Sequence, residues 1–237
     1  MPSADAHTLL LIPTYNEREN VPGLVEQILG QDLDLDLLFI DDGSPDGTGE
    51  YLDRIAREEP RIQVLHRPEK GGLGSAYLSG FAKSLEAEYA FSVCMDADLS
   101  HSPEDLPRLL EALKSADLVG GSRYLPGGGI QNWPFSRLLL SKLAAVYARL
   151  LTRMPFSDPT GGYNAYRNEM LRQLPLSQVN SQGYSFQIEM KHLAWRKGFR
   201  VTEIPILFTE RREGKSKMSA GIVREALWIV WKLVLRR

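Results

Sequence analysis

The first half of the sequence alternates short apolar runs with amphipathic segments, and this alternation is the feature that most restricts the fold. Apolar runs bounded by polar residues, glycine or proline predict buried strands at 8–12, 35–40, 62–66, 89–95 and 118–120. Helical spacing between the runs predicts helices at 21–29, 48–58, 73–85 and 103–114. This order predicts an α/β fold, with a mostly parallel central sheet and helices on both faces.

The second half has a looser pattern. Apolar spacing predicts an amphipathic helix at 135–151, a helix near 185–197, a short strand at 200–204 and a final amphipathic helix at 220–235. The helix at 135–151 is compatible with core packing or with a membrane-facing role. The final helix is compatible with an interfacial anchor, with core packing or with contact to a second subunit. The glycine-rich segment 125–132 is a candidate lid. No second core-sized block follows, so we expect one domain over 1–237.

Cysteine content and charge limit the function classes. The single cysteine, Cys94, excludes an intramolecular disulfide and a cysteine-based zinc site. Residues 1–7 lack the basic and apolar parts of a signal peptide, and no run approaches the roughly 20 apolar residues of a spanning helix. We therefore expect a protein that is neither secreted nor integral to a membrane. The net charge is −2, but residues 211–237 carry eight basic and two acidic residues. This asymmetry predicts an end that meets phosphates, and the alternative is a solvated basic helix end.

Acidic residues follow two of the predicted strands. Asp96 and Asp98 follow the fourth strand, and Asp41 and Asp42 follow the second. Ligands of parallel sheets bind beyond the carboxyl ends of the strands, so these four carboxylates are expected in one crevice. An Asp-x-Asp pair at a strand end can hold a hard divalent cation together with substrate phosphates. The alternative is an ordinary surface turn, which the Gly43 and Pro45-Asp46-Gly47 turn formers also favour for the second motif.

The glycine-rich turn Gly71-Gly72-Leu73-Gly74 carries less information. It is not a Walker loop, because no Gly-Lys-Ser/Thr follows, and a dinucleotide fingerprint would stand after the first strand. We interpret it as a tight entry from strand to helix.

Several motifs in order resemble one family. They are Leu11–Glu17, Ile40–Thr48, Asp96–Pro103, Gly121–Tyr124, Asp158–Arg167, Gly183–Met190 and Phe208–Met218. Together these segments are similar to the GT-A glycosyltransferases that glycosylate polyprenyl phosphates, and most closely to the dolichol-phosphate mannosyltransferases. The resemblance covers nearly the whole chain. It implies one GT-A, Rossmann-like domain, with a nucleotide-sugar half at about 1–122 and an acceptor and lid half at about 123–237.

The resemblance implies a role for eleven residues. The guanosine of GDP-mannose would be held by Pro13, Tyr15, Glu17, Ile40 and Asp42. The diphosphate would be held through Mg²⁺ or Mn²⁺ by Asp96, Ala97 and Asp98, with Asp96 and Asp98 as the metal ligands. The donor's phosphates or the acceptor phosphate would meet Arg123, Arg211 and Lys217. Asp98 and Arg123 are the implied catalytic residues. Some family members have glutamine where this chain has Ser100, so the resemblance gives no third metal ligand here.

The implied reaction transfers mannose from GDP-mannose to dolichyl or another polyprenyl phosphate, with inversion. A phosphate monoester has a second pKa of about 6, so the nucleophile is already ionised and needs little help from a general base. The four histidines, which show no metal-ligand spacing, are assigned no role.

Three other functions are compatible with the sequence. One is a polyprenyl-phosphate glucosyltransferase of the same family, whose donor would be UDP-glucose. A phosphatase-like hydrolase would use Asp96 as its nucleophile, although its motif normally follows the first strand. A non-catalytic subunit would only bind the sugar nucleotide. The resemblance also implies a cytoplasmic protein at the membrane surface, held peripherally or by a membrane-anchoring partner subunit, and no nucleic-acid partner.

Overall fold

A seven-stranded sheet forms the centre of the described structure. The computed structural model describes residues 7–210 and 229–234, apart from the side chain of Tyr184. The strands of this sheet are β1 (Thr8–Thr14), β2 (Leu35–Asp41), β3 (Ile62–His66), β4 (Phe91–Cys94), β5 (Leu118–Ser122), β7 (Asn164–Arg167) and β8 (Val201–Pro205). A second, two-stranded sheet pairs β6 (Gly129–Gln131) with β9 (Leu207–Thr209).

The strand order in the central sheet is β3-β2-β1-β4-β7-β5-β8. The pairs β3–β2, β2–β1, β1–β4 and β5–β8 are parallel, whereas β7 is antiparallel to both of its neighbours, β4 and β5. Six strands therefore point the same way and β7 alone points back. The predicted α/β class with a mostly parallel sheet is confirmed, and β7 is a strand that the sequence pattern did not predict.

Helices cover both faces of the sheet. They are α1 (Val21–Leu29), α2 (Thr48–Glu58), α3 (Leu73–Glu86), α4 (Leu106–Ala112), α5 (Phe135–Thr152), α6 (Asn168–Gln173) and α7 (Gly183–Arg196). Side chains of α3, α6 and α7 share one core cluster, and those of α1, α2 and α4 share the other. Successive residues of β1 alternate between the clusters, with Leu9 and Leu11 in one and Leu10 and Ile12 in the other. Burial on both faces explains why this strand is continuously apolar.

Two predicted boundaries change in the structure. The segment predicted as a helix at 103–114 begins with a 3₁₀ turn at Pro103–Asp105, and α4 follows it. Ser102 caps this turn, because its hydroxyl accepts a hydrogen bond from the Glu104 N–H at 3.3 Å. Part of the candidate lid, at Gly129–Gln131, is a strand that pairs with Leu207–Thr209.

Several large apolar side chains of α5 do not pack into the core. Leu139, Leu143, Val146 and Leu150 are between 47% and 71% exposed, whereas the buried face of the helix carries Ala145, Ala148 and Thr152. The core-packing interpretation of these four side chains is therefore wrong. Within residues 7–210 and 229–234 these side chains form an exposed apolar face, which is typical of an interaction surface.

Part of the final predicted helix lies in the described structure. Residues 229–234 are helical, and Ile229, Val230 and Leu233 are buried in the core cluster of α3 and α7. For this part of the helix, core packing is the alternative that holds. The other residues of the helix predicted at 220–235 lie outside the described residues.

Across residues 7–210 and 229–234, no helix has both the length and the apolar character needed to cross a bilayer.

Candidate active site

A cleft of about 450 Å³ opens at the carboxyl ends of β1, β2 and β4. Eight of the predicted site residues line it, namely Pro13, Tyr15, Glu17, Asp42, Asp96, Ala97, Asp98 and Arg123. The position agrees with the rule that parallel sheets bind ligands beyond their carboxyl ends. The predicted gathering of the acidic strand ends in one crevice is therefore observed for Asp42, Asp96 and Asp98.

The turn after β2 clamps the loop after β1. Three consecutive backbone amides of the first loop donate to side chains of the second, with Asn16 N to Ser44 Oγ at 3.0 Å, Glu17 N to Thr48 Oγ1 at 3.1 Å and Arg18 N to Asp46 Oδ2 at 3.2 Å. The polar turn sequence 43–48 thus fixes the backbone that carries Tyr15 and Glu17 into the cleft. A surface turn would not need this set of contacts.

Asp41 and Asp42 have different roles. Asp41 is buried and its carboxylate accepts from the hydroxyls of Thr14 at 3.1 Å and Ser44 at 2.6 Å, so it holds the two loops together. Asp42 faces the cleft and pairs with Arg67, with 2.9 Å between Oδ1 and Nη1. Burial raises the pKa of Asp42 above its usual value, although the Arg67 guanidinium opposes the shift. Asp42 is therefore the acid of this pair that is placed to receive a ligand.

Tyr15 and Ile40 are placed differently from each other. The Lys70 ammonium lies 3.9 Å from the centre of the Tyr15 ring, which gives this end of the cleft an aromatic face and a cation. Ile40, in contrast, is fully buried and belongs to the core cluster, where its side chain packs beside Gly80. It does not line the cleft, so the structure does not place its side chain with the other predicted guanosine contacts.

The Asp-x-Asp motif sits in a strained turn. Leu99, which follows Asp98, has a φ of 61°, a conformation that a bulky residue rarely adopts. The turn allows Asp98 Oδ1 to accept a hydrogen bond from Ser100 N–H at 3.1 Å. Asp98 is only 5% exposed and still lines the cleft. The motif is thus a built feature of the site and not an exposed turn.

His101 is a site residue to which the sequence analysis assigned no role. Its Nδ1 accepts a hydrogen bond from the Asp96 N–H at 3.1 Å, and its ring stacks on Tyr163 with 4.8 Å between centroids. Burial lowers the pKa of His101, even though the Asp96 and Asp98 carboxylates act in the opposite direction. The neutral ring therefore supports the backbone of the acidic turn.

Arg123 lines the cleft but its guanidinium is already engaged. Nε lies 2.6 Å from Asp158 Oδ2, Nη2 lies 2.8 Å from Asp158 Oδ1, and Nη2 also donates to Thr160 Oγ1 at 2.9 Å. Burial alone would raise the pKa of Asp158, but Arg123 and Lys191 hold it below its usual value. The prediction of Arg123 as a phosphate contact did not include this ion pair. In the structure Arg123 anchors the loop 158–162 to the end of β5.

A buried lysine supports the same loop. Lys191 of α7 is fully buried, and its ammonium donates to the carbonyl oxygens of Asp158 at 2.8 Å and Gly161 at 3.0 Å. Burial lowers the pKa of Lys191 to about 8, while the Asp158 and Glu203 carboxylates oppose the shift. The loop 158–162 is therefore fixed on both sides by cations.

The glycine-rich segment 71–74, at the start of α3, has a second role besides the entry from strand to helix. A Cβ on Gly74 would lie 2.2 Å from the Ser181 carbonyl oxygen, so only glycine lets the segment before α7 approach this closely. That segment brings Gln182 and Gly183 into the lining of the cleft.

The rim of the cleft contains residues to which the sequence analysis assigned no role. Trp133 and Phe208 meet edge to face at 5.5 Å, the Arg137 guanidinium lies 4.0 Å from the Trp133 ring centre, and Arg137 pairs with Glu210. All four line the cleft. Trp133 follows β6, and Arg137 lies near the start of α5. Phe208 lies in β9 and Glu210 follows it, so the pairing of β6 with β9 brings these residues together. The predicted phosphate contacts Arg211 and Lys217 lie outside the described residues.

Solved structures of glucosyl-3-phosphoglycerate synthase share the fold of this chain. Glucosyl-3-phosphoglycerate synthase from Mycobacterium tuberculosis, in complex with UDP, superposes with a TM-score of 0.70 at 18% identity, over 98% of this chain and 81% of that chain. The same enzyme with Mn²⁺, UDP and phosphoglyceric acid has a TM-score of 0.69 at 18% identity, over 96% of this chain and 79% of that chain. At this identity the likeness shows the shared fold.

Sequence comparison gives much nearer relatives. Polyprenol monophosphomannose synthase from Mycolicibacterium smegmatis is 51% identical over 94% of this chain and 85% of that protein. Undecaprenyl-phosphate mannosyltransferase from Micrococcus luteus is 48% identical over 96% of this chain and 95% of that protein. Dolichol-phosphate mannosyltransferase from Pyrococcus furiosus is 37% identical over 95% of this chain and 63% of that protein. Residues 10–174 match the model of Glycosyl transferase family 2. The chain therefore belongs to glycosyl transferase family 2 and is a glycosyltransferase.

Proposed function

We propose that this enzyme transfers mannose from GDP-mannose to dolichyl or another polyprenyl phosphate, with inversion, and releases GDP and polyprenyl phosphate mannose. The observation that carries the proposal is the 51% and 48% identity, over nearly the whole chain, to two enzymes named for mannosyl transfer to polyprenyl phosphates. The cleft supports it, because it combines an aromatic and acidic end with a pair of carboxylates and a cationic, aromatic rim.

The donor is proposed to lie along the first half of the chain, residues 1–122. The loop after β1 and Asp42 would hold the guanosine, since the carboxylates of Glu17 and Asp42 can accept hydrogen bonds from the base or ribose. Ile40 would contribute to this subsite only through its main chain, because its side chain packs in the core. The acceptor is proposed to enter on the side of residues 123–237, past Trp133 and Arg137.

The acidic pair fits a divalent cation, Mg²⁺ or Mn²⁺. Asp96 and Asp98 offer hard oxygen ligands that border the same cleft, and such ions are commonly held by one or two carboxylates together with substrate phosphates. The described residues contain no cluster of three or more His, Cys, Asp or Glu side chains that could hold a metal ion without substrate. The bound cation would neutralise charge on the leaving diphosphate.

Positioning and charge are the main demands of the chemistry. An oxygen of the acceptor phosphate attacks the anomeric carbon while the bond to the GDP oxygen breaks, and the displacement inverts the anomeric centre. The acceptor is largely ionised at neutral pH, so no side chain has to remove a proton. Arg123 and Arg137 line the cleft and contribute positive charge where two anions must meet. Arg211 and Lys217 are proposed to add to this charge.

Transfer of labelled sugar to a short polyprenyl phosphate tests the proposal. We expect label in the lipid phase from GDP-mannose with Mg²⁺ or Mn²⁺ and none with a chelator. Label in the lipid phase from UDP-glucose would support the same mechanism with UDP-glucose as the sugar donor. Nucleotide binding without transfer from either donor would contradict the proposal and would favour a non-catalytic subunit.

The membrane is the proposed location of the acceptor, and α5 is the proposed docking surface. Large apolar side chains on one side of α5 are 43% to 77% exposed, namely Phe135, Leu139, Leu140, Leu143, Val146 and Leu150. Between Leu118 and Ser157 the sequence has no acidic residue, while Lys142 and Arg149 of α5 are basic. An apolar face flanked by cations is typical of helices that lie in the headgroup region of anionic bilayers. The helix also begins beside the rim, at Trp133 and Arg137.

Replacing two of these side chains tests the docking surface. In the double variant Leu143→Glu and Leu150→Glu, we expect vesicle binding to fall at least about tenfold, because each leucine that inserts into the bilayer contributes roughly 1.5–3 kcal/mol. Transfer to a water-soluble short-chain acceptor should stay within about twofold, since both residues are exposed and outside the cleft. Cosedimentation with vesicles containing phosphatidylglycerol measures the effect, and Lys114→Glu is the control for added negative charge. Unchanged vesicle binding would exclude α5 as the docking surface.

A further inference from the structure

Gln187 of α7 presents an amide nitrogen to the cleft that the proposed mechanism does not use. The residue is 1% exposed and lines the cleft. Among the residues that the structure describes, Nε2 of Gln187 has no hydrogen-bond partner. A buried donor without a partner costs roughly 1–3 kcal/mol, so its retention at a ligand site indicates that a ligand oxygen satisfies it.

The neighbouring hydrogen bonds determine which end of the Gln187 amide faces the cleft. Asn164 Nδ2 donates to the Gly161 carbonyl oxygen at 2.9 Å and to Gln187 Oε1 at 2.9 Å. A main-chain carbonyl can only accept, so the nitrogen of Asn164 must point toward it, and the same nitrogen then requires an oxygen on Gln187. The remaining end of Gln187 is the NH₂ group, which offers two donors.

Gly162 locates this NH₂ group relative to the acidic turn. A Cβ on Gly162 would lie 3.5 Å from His101 Cε1, 3.8 Å from Gln187 Nε2 and 3.9 Å from Asp96 Oδ1. These three groups therefore border one small space that the absence of a side chain at position 162 keeps open. Because Asp96 also borders the proposed diphosphate site, this space lies next to that site, and mannose is one of the two groups bonded to the donor diphosphate.

We infer that Gln187 Nε2 donates a hydrogen bond to a hydroxyl oxygen of the donor sugar, which makes Gln187 a specificity-determining residue. The inference rests on the proposed function. A neutral amide donor suits a neutral hydroxyl, and a site built to bond a hydroxyl discriminates strongly against sugars that lack it. Asn164 is the positioning residue, since it fixes the direction of the amide.

The test compares Gln187→Met with the unchanged enzyme. Methionine keeps the length of the side chain and removes both donors. We expect kcat/KM for GDP-mannose to fall about 10- to 100-fold, because the sugar hydroxyl loses its partner in a buried site. The affinity for GDP, which has no mannose, should change less than about twofold. Gln173→Met on α6, whose exposed side-chain amide donates to the Glu169 carbonyl oxygen, is the surface control and should match the wild-type enzyme.

Deoxy analogues of GDP-mannose give the decisive comparison. With the wild-type enzyme, one deoxy analogue should have a much lower kcat/KM than GDP-mannose. Gln187→Met should lower the kcat/KM of that analogue little further, because the variant lacks the N–H group that bonds this hydroxyl. If Gln187→Met lowers the affinity for GDP as much as it lowers kcat/KM for GDP-mannose, the inference is overturned in favour of a phosphate contact. An unchanged kcat/KM for Gln187→Met would overturn it as well. If the unchanged enzyme transfers no mannose at all, the proposed function fails first and the inference fails with it.

Discussion

Asp98→Asn is expected to reduce glycosyl transfer by at least about 10³-fold while leaving the protein folded. A cation that neutralises a leaving diphosphate stabilises the transition state by several kcal/mol, and each 1.4 kcal/mol is about a factor of ten in rate. Asparagine keeps an oxygen that can accept the Ser100 N–H, a bond of 3.1 Å in the structure, so the turn should survive. Asp98→Ala should be equally inactive.

The rate is measured by transfer of labelled sugar over a range of Mg²⁺ and Mn²⁺ concentrations, with the circular dichroism spectrum as the check on folding. Asp105→Asn is the matched control, because Asp105 is also a buried aspartate, pairs with Arg108 and does not line the cleft. Its transfer rate should stay within a few-fold. An Asp98→Asn enzyme that remains active and metal-dependent would contradict the assignment of the metal site.

Asp158→Asn is expected to lower the free energy of unfolding by about 3–5 kcal/mol, the usual cost of breaking a buried ion pair by removing one partner. Asp158 is fully buried, and its carboxylate is bound by Arg123 through both oxygens. The change leaves Arg123 and Lys191 as buried cations without this carboxylate. Lys191, whose pKa burial already lowers to about 8, should lose its proton more readily.

Urea unfolding measures this effect. Glu86→Gln, which breaks the exposed pair with Lys83, is the control and should cost about 0.5 kcal/mol or less. The double variant Arg123→Met with Asp158→Asn should lower the free energy of unfolding by less than the sum of the two single variants. The reason is that Arg123→Met also removes the guanidinium that Asp158→Asn deprives of its carboxylate. Strictly additive costs would show that the two side chains are not coupled.

The sequence predicted the parallel part of the fold because that part has local signals. The strands β1 to β4 are short apolar runs with helical spacing between them, and burial on both faces makes these runs conspicuous. β7 was missed because its sequence, Asn164–Arg167, is four residues long and half polar. It is a strand because β4 and β5 flank it, which is a tertiary condition and not a local one.

The acidic half of the site was predictable for the same reason. Carboxylates directly after apolar strands have a defined place in a parallel sheet, and Asp42, Asp96 and Asp98 lie where that rule puts them. His101 and Gln187 had no such signal, because their side chains reach the cleft only through the packing of the 3₁₀ turn region and α7. The partner of Arg123 was also hidden, since Asp158 is far away in sequence and meets it only in the folded chain.

The reversed direction of β7 decides where the chain between β5 and β7 leaves and rejoins the sheet. β5 ends at the active edge of the sheet, and the antiparallel β7 begins at that same edge, with Asn164 opposite Gly120. The chain between them, including α5, therefore leaves and returns at one place without crossing the sheet. Because both ends of this segment lie at one edge, a change of length on its exposed side, such as the apolar face of α5, does not shift the register of β5 and β7. The buried part of the same segment, which includes Phe156 and Asp158, does not have this freedom.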